Sequence, residues 1–302
     1  VNAFLRNFDA EKLILPADKL SRLSVQYSFP PFAVSRLVKE YGAAEAEEIM
    51  RPRPARTFVR FAGAPAQKYL DLPHEDTPFS GLYAYPNFRR DAGYDRGEYT
   101  FQSVGSVAVC AAVEPCGELL DACAAPGGKS VLLAGKCGRV TAFELHEHRA
   151  KLIESYASRM GAENISVVCR DSSVHDPAYD GKFDAVLADA PCSGYGVVGE
   201  NPDIKLLRRE ADLSSLCKTQ RAILSACAPY VRAGGCLYYS TCSVFGEEND
   251  GTVSAFLEQH PDFAAEEIAS PLGHERTRFG LQFLPHLSMG AGFYVCKMRK
   301  KA

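Results

Sequence analysis

Nothing in this 302-residue chain approaches the roughly 18 consecutive apolar residues that a membrane-spanning helix needs, and no signal peptide opens it. The chain therefore reads as cytoplasmic. No two of its 11 cysteines stand as Cys-x-x-Cys, which argues against a structural zinc site. Thiols spread singly along a chain of this size fit a reducing compartment better than a disulfide framework. An excess of basic charge is also missing: 34 Lys and Arg against 37 Asp and Glu leave a net charge of -3. Nucleic-acid binding usually leaves a basic footprint, although a local patch can sit inside a neutral total. Internal repeats and low-complexity tracts are absent too. What remains is ordinary globular composition, 46% hydrophobic and 24% charged, long enough for one large or two ordinary domains.

Three regions are expected along the chain. Residues 1–18 read as the end of a preceding helical domain or linker, with Val1-Asn-Ala-Phe-Leu-Arg-Asn7 as the last turns of a helix. Residues 19–103 read as a small α+β domain. Its helices are expected over Lys19–Val25 and Pro31–Tyr41, where Gly42 stops the second, with Leu20, Leu23, Phe32, Leu37, Val38 and Tyr41 as core positions. Arg51, Arg53, Arg56 and Arg60 then cluster around Phe58 and Phe61. Such a run suits a phosphate backbone with stacking aromatics, or a solvated face over buried phenylalanines.

From residue 104 to 302 the pattern sharpens into alternating strands and helices. Strands are expected at Glu118–Cys123, Arg139–Glu144, Ile165–Cys169, Phe183–Ala188 and Gly235–Ser240. Helices are expected from Gly128, over His146–Met160 and Leu213–Ala228, and from Glu247 to His260. Alternation of this kind predicts an α/β fold with a doubly wound, mostly parallel Rossmann-like sheet. The runs Gly280–Leu284 and Gly292–Lys297 add an antiparallel hairpin at one edge.

Ligands bind such sheets beyond the carboxyl ends of the strands. The loop after the first strand reads Asp121-Ala-Cys-Ala-Ala-Pro-Gly-Gly-Lys-Ser130. A Walker loop would need Gly where Cys123 stands, and Gly-x-Gly-x-x-Gly is not present. The small residues leave room for a nucleoside without a pyrophosphate. Glu144 ends the second strand, 23 residues after Asp121, where a carboxylate can accept from ribose hydroxyls; Asp171, after the third, can accept from a base amine. Either acid alone is more commonly a helix cap or loop acid. Asp189 and Cys192 follow the fourth strand in Asp189-Ala-Pro-Cys-Ser-Gly194, and Cys242 follows the fifth in Tyr-Tyr-Ser-Thr-Cys-Ser243.

These motifs, with Asn201-Pro-Asp-Ile-Lys205 and Glu247-Glu-Asn249, resemble in order those of the Sun (Fmu, RsmB-like) family of RNA cytosine-5 methyltransferases. The resemblance spans nearly the whole chain and is most specific at the Pro-Cys-Ser-Gly and Ser-Thr-Cys-Ser pair. It implies S-adenosylmethionine as cofactor, held by Cys123, Ala124, Ala125, Pro126, Gly127, Gly128 and Lys129, with Glu144 on the ribose, Arg149 on the cofactor side, Asp171 on the adenine and Asp189 at the edge shared with substrate. It implies Cys242 as nucleophile, Cys192 as the thiol that assists product release, and a NusB-like domain before the catalytic part. The implied partner is RNA, above all unassembled or partly assembled small-subunit (16S) ribosomal RNA, and a monomer is expected.

The chemistry accounts for the two thiols. Carbon 5 of cytosine attacks a sulfonium methyl only after a thiolate has added at carbon 6. Lys205, or the N-terminus of the helix expected near Glu247, would favour that thiolate. The base must be unstacked to be reached. Arg51, Arg53, Arg56, Arg60, Arg89, Arg90, Lys205, Arg208 and Arg209 are the candidate RNA contacts, and the eight other cysteines read as small buried fillers. Two departures stand out: Gln102-Ser103 where relatives tend to carry Gln-Asp, and Leu206-Leu207-Arg208 where an aromatic is common. A non-catalytic RNA-binding assembly factor with the same fold is the alternative function. A methyltransferase for proteins or small molecules is a third, against which Cys242 speaks, since an amine or thiol acceptor needs no enzyme thiol.

Overall fold

The computed structural model describes residues 14–302 together with Arg6, Asn7 and Asp9, so the expectation for residues 1–5 lies outside the described residues. The chain forms two compact units, Val1–Pro52 and Arg53–Ala302. In this division the small sheet that follows the helical pair groups with the larger unit.

In the first unit, α1 (Lys19–Tyr27) starts where Asp18 Oδ1 accepts from the Ser21 N–H at 2.9 Å. Helix α2 (Pro31–Met50) opens with Pro at its first position, where the missing N–H costs nothing. Gly42, at φ 78°, breaks the helical path as expected of it, but the helix resumes and runs on to Met50. Leu23, Leu37, Ala46 and Ile49 are buried, whereas Leu20, counted as core, is 43% exposed.

The second unit opens with a four-stranded antiparallel sheet of β1 (Thr57–Phe61), β2 (Glu75–Asp76), β3 (Leu82–Tyr85) and β4 (Tyr99–Phe101) in the order β2-β3-β1-β4. Short helices α3 (Gln67–Leu70) and α4 (Ala92–Asp95) lie between its strands. Its core is aromatic: Phe61, Tyr69, Tyr85 and Tyr99 are all buried, and the Phe61 and Tyr69 ring centres lie 5.3 Å apart. Helix α5 (Val104–Ala112), capped by Ser103, leads into the large sheet.

That sheet carries β5 (Glu118–Asp121), β6 (Arg139–Glu144), β7 (Ile165–Cys169), β8 (Phe183–Asp189) and β9 (Val231–Thr241) in parallel. Strands β10 (Phe263–Glu266), β11 (Glu275–Arg276), β12 (Gly280–Phe283) and β13 (Phe293–Lys300) complete it in antiparallel fashion. The order is β11-β12-β13-β9-β8-β5-β6-β7, with β10 beside β13. The helices of this half are α6 (Gly128–Ala134), α7 (Glu147–Arg159), α8 (Ile204–Leu207), α9 (Glu210–Cys227) and α10 (Asp250–Gln259). Consecutive residues point to opposite faces. Leu119 and Leu187 enter one apolar layer with Val107 and Phe293, while Leu120 and Val186 enter the other with Ile223 and Tyr239. This two-sided burial is what makes the strands read as unbroken hydrophobic runs.

The fold expected of residues 104–302 is therefore present, with shifts at several element ends, β9 starting at Val231 and not Gly235, and with β10 and β11 added beyond the expected strands. Strand β5 stops at Asp121 because Ala122 already turns into the loop, and α10 begins at Asp250, so Glu247–Asn249 form a turn and not a helix N-terminus. No described helix is long and apolar enough to cross a membrane.

Candidate active site

Strand β5 has β6 on one side and β8 on the other, so the chain leaves its carboxyl end at the point where the winding reverses, and a crevice must open there. Register fills it. Asp121 lies beside Leu187 on β8, two residues before Asp189, and Asp189 is paired with Ser240 on β9, two residues before Cys242.

The loop after β5 is folded by backbone hydrogen bonds, from the Ala122 N–H to Leu187 O at 2.8 Å and from the Ala124 N–H to Phe143 O at 2.9 Å. Gly127 adopts φ 107°, a conformation strained for any residue with a side chain. A Cβ there would also stand 3.2 Å from Ile153 Cα, so glycine lets α7 approach the loop. Arg149 ties the loop to the next strand, with Nη2 donating to Ala125 O at 3.2 Å and Nη1 to Glu144 Oε1 at 3.4 Å. Glu144 is buried and also accepts from the His146 N–H at 3.0 Å. Asp171 lies after the neighbouring strand end and accepts from the Ser173 N–H and hydroxyl at 2.8 and 2.7 Å, bonds that hold its carboxyl below the usual range.

A cavity of about 320 Å³ opens at the centre, lined among others by Gln102, Asp121, Cys123–Pro126, Lys129, Asp189 and Cys242. Glu144, at the end of β6, Arg149, on α7, and Asp171, just past the end of β7, lie outside this lining. Lys129 Nζ meets Asp189 Oδ2 at 2.6 Å, and Asp189 Oδ1 accepts from the Ser240 hydroxyl at 2.6 Å. Burial works against the Lys129 ammonium, but the Asp189 carboxylate more than offsets it and raises the lysine above its usual range.

Cys242 lines the cavity, and Cys192 stands behind it with Sγ to Sγ at 3.1 Å. The Cys242 N–H points to Cys192 Sγ at 3.3 Å. The neighbouring Cys242 thiol and burial push the Cys192 thiol well up. The Cys242 strand end is held by a close backbone approach: the Gly196 N–H donates to Cys242 O at 3.0 Å, and the Gly292 N–H to Gly196 O at 2.8 Å. A Cβ on Gly196 would lie 2.0 Å from Gly292 O.

Asp121, at the end of β5, is a site residue that the sequence reading passes over. It is fully buried, takes the Ser130 hydroxyl on Oδ2 at 2.6 Å, has the Cys123 N–H beside its carboxyl, and keeps Oδ1 out of any well-formed hydrogen bond among the described residues. Burial pushes its carboxyl up to about 6. A buried acceptor of this kind fits an ammonium such as the one on the methionine part of S-adenosylmethionine. The signal for it was present: an acid closing the first strand before a glycine loop.

The basic residues are less united than expected. Arg60 is 9% exposed, with Nε donating to Gln102 Oε1 at 2.7 Å, so it is a core residue and not a phosphate contact. Phe58 and Phe61 are buried and cannot stack on bases. Arg51 pairs with Glu48 at 3.0 Å and Arg56 with Glu75 at 2.9 Å. Arg53 is half-buried, while Arg89, Arg90 and Arg209 are exposed. Arg208 turns inward, Nε donating to Ser193 O at 3.1 Å and Nη2 to Cys192 O at 3.3 Å, so it braces the Pro-Cys-Ser-Gly loop. Lys205 lies outside the cavity lining. Among the cysteines read as fillers, Cys169 is exposed and Cys116 half-buried.

The family model described as 16S rRNA methyltransferase RsmB/F matches residues 109–299, which include the glycine loop and both cysteine loops. The chain belongs to this family. The probable ribosomal RNA small subunit methyltransferase B of Bacillus subtilis (strain 168) is 33% identical over all of this chain and 73% of its own length. Ribosomal RNA small subunit methyltransferase B of Sodalis glossinidius (strain morsitans) is 34% identical over all of this chain and 72% of its own. Among solved structures, NSun6 from Pyrococcus horikoshii with SFG superposes with a TM-score of 0.77 at 20% identity, over 91% of this chain and 99% of that one. A methyltransferase homolog protein from Pyrococcus horikoshii does so with a TM-score of 0.77 at 22% identity, over 95% of this chain and all of that one. These two likenesses bear on the fold. As a member of the RsmB/F family the chain is a methyltransferase with S-adenosylmethionine as its cofactor.

Proposed function

We propose that this RsmB/F member methylates carbon 5 of a cytosine in RNA, through a transient bond between Cys242 Sγ and carbon 6 of the base, with unassembled or partly assembled 16S ribosomal RNA as substrate. The names of the relatives support ribosomal RNA as the substrate class. The observation that carries the chemistry is the placement of Cys242 on the cavity wall that also holds the Lys129–Asp189 pair, with a second thiol 3.1 Å behind it.

Each residue has a part. Cys242 Sγ adds to carbon 6 and shifts electron density to carbon 5. Lys129 and Asp189 together offer ammonium donors and carboxylate acceptors to the polar edge of the cytosine, which gains charge as the thiol adds. Asp121, the loop from Cys123 to Gly128, Arg149, Glu144 and Asp171 hold the cofactor, which supplies an electrophilic methyl group. After the methyl has transferred, a base takes the carbon 5 proton, the carbon–hydrogen pair re-forms the double bond between carbons 5 and 6, and the carbon 6 to sulfur pair leaves on Cys242 as thiolate. Cys192, adjacent to that sulfur, assists the release. The exposed Arg89 and Arg209 would follow the RNA backbone, in a cytoplasmic monomer.

The test uses RNA bearing 5-fluorocytosine, whose carbon 5 has no proton to lose after transfer. Wild-type protein and Cys192→Ala should form a covalent complex with such RNA and labelled cofactor, and Cys242→Ala should form none. With unmodified RNA, only Cys192→Ala should accumulate the complex. Loss of the adduct in Cys192→Ala alone would reverse the two roles, and no adduct in any variant would favour the non-catalytic reading.

A further inference from the structure

Glu248 is fully buried between the two cysteine loops. Its Oε1 accepts from the Ser193 N–H at 2.8 Å, and its Oε2 accepts from the Ser243 hydroxyl. Ser193 directly follows Cys192, and Ser243 directly follows Cys242. The two serine hydroxyls are themselves 3.2 Å apart. Gln220, from α9, closes the arrangement by donating through Nε2 to Glu248 Oε1 at 3.0 Å and to Pro191 O at 3.0 Å. One carboxylate thus bridges the residue after each thiol, and a buried acceptor holding several donors fixes them more rigidly than separate pairs would.

We propose that Glu248 is a positioning residue that clamps the two cysteine loops and sets the distance between the Cys192 and Cys242 sulfurs. Strands β8 and β9 pair in register only up to Asp189 and Ser240, so the ladder ends before either thiol. Beyond it the loops are joined by the Gly196 N–H to Cys242 O bond and, at the residue directly after each thiol, by the Glu248 carboxylate. The proposal rests on the two-thiol reading above for its catalytic consequence, but the clamp itself can be measured without RNA or cofactor.

The probe is diamide, which takes two electrons and two protons from a thiol pair to leave a disulfide and the corresponding hydrazine. The rate of Cys192–Cys242 linkage, read by peptide mass spectrometry, reports how often the sulfurs meet. The Cys116–Cys137 pair, 3.5 Å apart at the opposite end of the sheet, serves as internal reference. Glu248→Ala should slow Cys192–Cys242 linkage at least ~10-fold relative to the reference and lower kcat for methyl transfer by about 100-fold, with KM for RNA within about threefold, since a displacement near 1 Å costs that much in rate. Glu248→Gln keeps the shape and one acceptor, and its amide can donate to the Ser243 hydroxyl, so it should retain both rates within about threefold. Ser243→Ala removes a single strut and gives a smaller loss, which keeps the test open if Glu248→Ala does not fold. Linkage at the wild-type rate in folded Glu248→Ala or in Ser243→Ala, or Glu248→Gln as impaired as Glu248→Ala, would overturn the clamp. Slowed linkage in a protein that never methylates cytosine would uphold it while sinking the proposed reaction.

Discussion

Asp121→Asn tests the cofactor site through stability as well as binding. The folded protein holds the Asp121 carboxyl near 6 against an ordinary 3.8, because the group is fully buried and burial disfavours its charged form. A raised carboxyl pKa means that the folded state binds more protons than the unfolded one between those values. Stability from this group is therefore complete below about pH 4 and is lost as pH rises through about 6. Two pKa units correspond to about 3 kcal/mol at full extent. Roughly 1.4 kcal/mol of that falls between pH 5 and 7.5, where the fold can be studied. Asparagine is nearly isosteric and can still accept the Ser130 hydroxyl, but it cannot ionise. In urea melts the variant should gain on wild type by about that amount between pH 5 and 7.5, measured without cofactor. Titration calorimetry should show the opposite for S-adenosylmethionine: affinity at pH 7.5 falls at least ~10-fold, since a charged hydrogen bond contributes about 1.5–3 kcal/mol. Equal pH slopes for both proteins would refute the buried-acid reading, and unchanged affinity would remove Asp121 from the cofactor site.

Other perturbations separate the remaining parts. Lys129→Met leaves Asp189 at the cavity without its ammonium; kcat should fall by at least ~100-fold with a smaller change in cofactor affinity, as expected of a group that stabilises developing charge, and steady-state kinetics would show the split. Gly196→Ala puts a Cβ 2.0 Å from Gly292 O, so the Cys242 strand end must move. About 3 kcal/mol of stability should be lost in denaturant melts, with adduct formation falling alongside. Arg60→Ala should lower the melting temperature without altering the salt slope of RNA binding, because the side chain is buried, whereas Arg89→Ala should reduce that slope by about one.

The strand pattern, the glycine loop and the paired cysteines were legible because each is a local property. Two-sided burial writes an apolar run, a ligand loop writes small residues after it, and a cysteine after a strand end is visible wherever the strand is. The arginine cluster misled for the same reason. Local spacing could place Arg51 to Arg60 together, but it could not say that β1 would carry Arg60 inward beside Gln102 or lay Phe58 and Phe61 in the core. Arg208 likewise looks like a surface cation in sequence, yet Cys192 O and Ser193 O take its donors.

By itself, then, the amino-acid order determined the alternation of elements, the kind of ligand the first loop admits and the identity of the two thiols. Only the tertiary structure decided which thiol faces the cavity, that Lys129 meets Asp189, that Asp121 is fully buried at the cavity, and that Glu248 joins the loops. These last facts depend on strand order and register, which bring together residues as distant in the chain as Lys129 and Cys242. Such contacts leave no trace in spacing, because the burial and pairing that create them exist only once the sheet has closed around the crevice.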